Sequence, residues 1–131
     1  MKEKENEEHL KKIKKKILIT IKMRKFIIKE KPIAYKDGFL ASGWGSGYVA
    51  VPKEHPYFEK FAEEMDIDIH GGISYTKYGT SLRGILPKFQ TDKYWLIGFD
   101  TFHAGDNKVN KNEEFVKQET ERLYKQLTSV I

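Results

Sequence analysis

The sequence predicts one small α+β domain: a short antiparallel meander packed by a C-terminal helix and a short middle helix. Three observations predict it. Short runs rich in β-branched and aromatic residues alternate with Gly, Pro and Asp turn signals. The C-terminal stretch changes to helical spacing, with Phe115, Val116, Leu123, Leu127 and Val130 on one stripe. The chain has 131 residues, enough for one domain and not two.

Taken in order, residues 1–16 read as a charged N-terminal helix or tail, and residues 17–131 as the single domain. Leu10, Ile13 and Ile17 give the tail a thin apolar stripe. From Ile17 to Ile28 the β-branched residues, with Ile17, Ile19 and Ile21 alternating, predict a strand that Pro32 ends. Residues 33–40 carry a turn signal at Asp37-Gly38. Ser42 to Gly47 reads as a flexible glycine loop around Trp44. Tyr48 to Val51 is a short strand stopped by Pro52. His55-Pro56 opens a predicted helix from Tyr57 to Met65.

Asp66-Ile67-Asp68-Ile69-His70 alternates strictly and predicts a strand with its isoleucines on one side. Gly71-Gly72 then supplies a turn, residues 73–78 return as a strand, and 79–92 form a long loop. Lys93 to Phe99 is an aromatic strand. Asn110, with Glu113 three residues on, predicts the cap of the last helix.

Composition narrows the function classes. The chain has no cysteine, which removes disulfides, thiol nucleophiles and cysteine metal sites. The formal net charge is +5, of which residues 1–16 supply +3 through seven Lys and four Glu. With only Arg24, Arg83 and Arg122 for bidentate base contacts, specific DNA binding is not expected. The N-terminus lacks a targeting pattern and no apolar run approaches the ~20 residues that span a bilayer, so a cytoplasmic protein with no membrane partner is expected.

The residues able to do chemistry gather between Asp66 and Asp106. In a meander of residues 66–70, 73–78 and 93–99, His70, Gly71, Gly72, Asp100, His103 and Asp106 all fall at one sheet edge. Histidine and carboxylate donors there could hold a divalent metal, with His70, Asp100, His103 and Asp106 as candidates. His70, Asp100 and His103 could equally serve as catalytic acid–base groups. Without reaction, Trp44 could stack on a base while His70, Gly71, Gly72 and His103 hold phosphate and Asp100 and Asp106 orient the histidines or a ribose. Each also has a plain structural use: a hairpin turn at Gly71-Gly72, and Asp100 capping its own loop. Gly43 to Gly47 lacks the Gly-Lys-Ser/Thr ending of a phosphate-binding P-loop, and no Gly-x-Ser-x-Gly elbow supports a serine hydrolase.

Gly47-Tyr48-Val49-Ala50-Val51-Pro52, His55-Pro56, Asp68 to Ile73 and Trp95 to Asp106 together resemble a family of small proteins encoded by phages and prophages. The resemblance spans residues 47–127 and leaves out residues 1–30. It implies a phage-type accessory protein countering host defence. Such a protein would bind or sequester a small phosphate-bearing or nucleotide ligand. The alternatives are a small metal-dependent hydrolase using the same cluster and a protein–protein inhibitor of a host defence enzyme. The oligomeric state stays open.

Overall fold

The computed structural model describes residues 2–30, 42–82 and 87–131. Helix α1 (Lys2–Lys22) leads directly into strand β1 (Arg24–Lys29). Strand β2 (Gly45–Pro52), β3 (Tyr75–Tyr78) and β4 (Tyr94–Asp100) follow, and helix α2 (Glu113–Ser129) closes the chain. The strands form one antiparallel sheet in the order β1-β2-β4-β3. The expected α+β class with an antiparallel sheet and a packing C-terminal helix is therefore what the chain adopts. The expected segment at residues 33–40, with its Asp37-Gly38 turn, lies outside the described residues, as does Gly84 of the 79–92 loop.

Alternation along β2 and β4 separates two cores. Val49, Val51, Trp95, Ile97 and Phe99 face α2 and meet Val116, Leu123 and Leu127, with Ile19, Met23 and Ile69 completing the cluster. Ala50 and Leu96 face the other way and pack with Phe89. Every residue of β2 is buried, because strands lie on both sides of it and α2 covers one face. Gly47 lets α2 come close: a Cβ there would fall 2.0 Å from Thr120 Oγ1 and 2.6 Å from the Phe99 ring. Thr101, fully buried, ties the end of β4 to the start of β2 by donating from Oγ1 to the Gly45 carbonyl at 2.6 Å.

Five local expectations are corrected. The run Ile17–Ile28 is not one strand, since α1 continues to Lys22 and only residues 24–29 are extended. Residues 45–47 are not loop but the first part of β2. The middle helix is reduced to turns and one 3-10 turn, Ala62–Glu64, with Phe61 exposed; Trp95 Nε1–H instead donates to the Lys60 carbonyl at 2.9 Å and pins the chain. Residues 66–70 pair with no strand among the described residues, so the expected three-strand meander is not formed there, although the 73–78 and 93–99 runs do pair. The cap of α2 is Asn112, whose side chain accepts from the Phe115 N–H at 2.9 Å. Asn110 is occupied inside its loop with Asn107 and Gly105.

Candidate metal centre

Residues 66–70 run alongside α2, whose side chains take the place of a neighbouring strand. The Asp68 N–H donates to Gln126 Oε1 and the Gln126 amide donates back to the Asp68 carbonyl, both at 2.8 Å. Two residues on, the His70 N–H donates to Glu119 Oε2 at 2.8 Å. Arg122 bridges the two contacts, reaching Glu119 Oε1 at 2.5 Å and Asp68 Oδ2 at 3.2 Å. The Glu119 carboxylate, by hydrogen bond and then by charge, holds the Arg122 guanidinium above its usual range. A backbone amide outside a strand or helix needs a partner, and these contacts supply one at Asp68 and at His70.

The chain then turns. The Gly72 N–H donates to the Ile69 carbonyl at 2.9 Å, and Gly71 and Gly72 take φ values of +70° and +79°. A second loop, leaving β4, comes to meet it. Asp100 Oδ1 accepts from the Phe102 N–H at 3.1 Å, the loop-capping role open to it from sequence. Asp106 is only 5% exposed, and its Oδ2 accepts from the His103 N–H at 3.1 Å. The same carboxylate accepts from His70 Nε2 at 3.0 and 3.1 Å, joining the two loops.

His70 and His103 stand edge to face with ring centres 5.5 Å apart, and Phe115 of α2 backs the His70 ring at 5.3 Å. One donor atom each from His70, His103 and Asp106 lies within 4.8 Å of the others. That spacing is wider than the roughly 3.4 Å edge of a tetrahedral zinc shell, so a small inward movement of the rings would complete a shell. Asp100 Oδ1 lies 3.0 Å from His103 Nε2. That contact is not a hydrogen bond, and among the described residues this buried nitrogen has no hydrogen-bond partner.

The structure thus brings His70, Gly71, Asp100, His103 and Asp106 to one place. Gly72 follows in the same turn, where an added Cβ would meet nothing within 4 Å. Trp44 is not among the gathered donors: its ring is partly buried against the core, and its backbone N–H donates to the Lys111 carbonyl at 2.8 Å. Glu119, Arg122 and Gln126 were missing from the sequence reading. The signal for Glu119 was present, because a carboxylate between Val116 and Thr120 interrupts the apolar stripe of α2 and is buried there. No family model matches the chain, and no curated protein and no solved structure matches it.

Proposed function

We propose that this chain is a small metal-binding accessory protein: His70, His103 and Asp106 hold a divalent transition metal that engages a phosphate-bearing ligand. The observation that carries this reading is the His103 Nε2 atom, buried beside a carboxylate yet without a hydrogen-bond partner among the described residues. Buried polar atoms rarely stay unpaired, and an imidazole nitrogen facing such a site suits a cation. Two imidazoles and a carboxylate fit zinc, manganese or ferrous iron. Direct capture of phosphate by the histidines is the weaker arrangement, since Asp106 already binds His70 and Asp100 borders His103. A cation among these carboxylates would reverse the local sign and attract phosphate.

Three protein donors leave coordination positions open for water or ligand, so the same centre would also suit a metal-assisted hydrolase. The resemblance to phage and prophage proteins supports an accessory, anti-defence setting. The test is metal titration of the stripped full-length protein by calorimetry, with zinc, manganese and ferrous iron in turn, followed by elemental analysis. One equivalent should bind, and His103→Ala should abolish it. A nucleotide added to the loaded protein then separates capture from turnover. Absence of binding for all three metals would leave the cluster as scaffold and favour a surface inhibitor.

A further inference from the structure

Helix α1 turns its apolar side away from its own domain. Leu10, Ile13, Ile17 and Ile21 are 52%, 41%, 55% and 59% exposed. Their spacings of three, four and four residues place them within about 80° of the helix circumference. The buried Ile19 lies two residues from Ile17, or about 200° around the helix, on the opposite side. The domain holds α1 by that opposite side and so leaves the stripe uncovered. No helix described is long and apolar enough to cross a membrane. In proteins most helix stability comes from packing of an apolar face against a partner.

We propose that the Leu10–Ile13 part of the stripe is closed by the α1 of a second copy of this chain, running antiparallel. The charge pattern selects both partner and direction. Residues 3–8 carry four Glu and one Lys, whereas residues 11–16 carry five Lys and no acid. A parallel pair stacks lysine on lysine; an antiparallel pair lays each acidic half against a basic half. Glu7 and Lys14 flank the stripe on the same side, two turns apart. Setting Leu10 opposite Ile13 of the second copy brings Glu7 alongside Lys14 of that copy, and symmetry repeats the pair. An anionic membrane surface would attract residues 11–16 but repel the Glu-rich end, and α1 has no aromatic residue to anchor it. The seam is short, so the dimer should have a dissociation constant of roughly micromolar order.

The experiment is sedimentation equilibrium of the full chain across a concentration series. A monomer–dimer equilibrium is expected, with α1 helicity by circular dichroism rising alongside dimer. Ile13→Asp should weaken the dimer by roughly 100-fold or more, since each interface loses two covered isoleucines. Glu7→Lys should weaken it by roughly tenfold, and Glu7→Lys combined with Lys14→Glu should restore it. The double reversal keeps composition and changes only who faces whom. Orientation is read from Glu3→Cys in this cysteine-free chain. An antiparallel pair separates the two thiols by about 25 Å and prevents a disulfide. A monomer at every concentration, a ready disulfide from Glu3→Cys, or a monomer that binds phosphatidylserine vesicles through the same stripe would each overturn the proposal.

Discussion

Gly71 rests against the Nε2 end of the His103 ring, so closely that a Cβ on Gly71 would fall 2.1 Å from that nitrogen. Its φ of +70° adds a backbone reason for glycine. Gly71→Ala should cost about 1–2 kcal/mol for the left-handed backbone and also displace the His103 ring. Gly72→Ala shares the backbone cost, with φ +79°, but meets nothing within 4 Å. Metal titration should therefore fail for Gly71→Ala and survive in Gly72→Ala, although both melt lower. Equal loss of metal in the two variants would show that the ring contact is irrelevant.

Asp106 and His103 should separate scaffold from site. Asp106 is buried and serves both the His103 amide and the His70 ring. Asp106→Ala should cost about 1–3 kcal/mol, because it strands those donors. His103 is half exposed, and His103→Ala should change stability by no more than about 0.5 kcal/mol while removing metal binding. Urea midpoints of the two variants, measured metal-free, make the comparison.

The two helices should respond very differently to loss of apolar groups. Leu123 is fully buried between α2 and the sheet, and Leu123→Ala should cost about 2–5 kcal/mol. Removal of residues 1–16, whose side chains from Glu3 onward are exposed, should leave the tryptophan-monitored melt of the domain unchanged in dilute solution. A melt lowered by several degrees would place part of that segment in the core.

His55 gives the fold a dependence on acid. It is buried, its Nδ1 accepts from the Tyr57 N–H at 2.9 Å, and its Nε2–H donates to the Leu127 carbonyl at 2.7 Å. Burial holds its pKa below the ordinary value, which is about 6.5. The unfolded chain therefore binds the proton first. This contribution to stability is full above about pH 6.5 and is lost as pH falls further. His55→Gln should flatten the fall in melting temperature between about pH 6.5 and 5, and an unchanged slope would assign the acid response elsewhere.

Much of the sheet was legible because β2 is stopped at Pro52 and β2 and β4 are rich in β-branched and aromatic residues. Ile17 to Ile21 misled because the same isoleucines satisfy a period of two and a spacing of four; continuity with the lysine-rich turns before them favours the helix. The alternation at residues 66–70 correctly placed Ile69 inside and Asp66 and Asp68 outside. It could not reveal that Gln126, Arg122 and Glu119 take the part of a strand, since those contacts span 49 to 58 residues of chain. His70, His103 and Asp106 nevertheless meet at the expected edge, because Asp106 bonds both loops directly. Trp44 was singled out for its place in a glycine-rich stretch; it stands just before β2, and its partly buried ring packs against the core.

The closeness of Gly47 to Thr120 has a bearing on inheritance and engineering. A methyl at Gly47 would force α2 outward at Thr120, and the preceding residue on that turn is Glu119, which receives the His70 amide. A single-atom change in the middle of the sheet would thus detune the loop that carries His70 without altering any group that touches a ligand. Variants selected for weaker or looser binding should arise at Gly47, a position that a search confined to the histidines and aspartates would never sample.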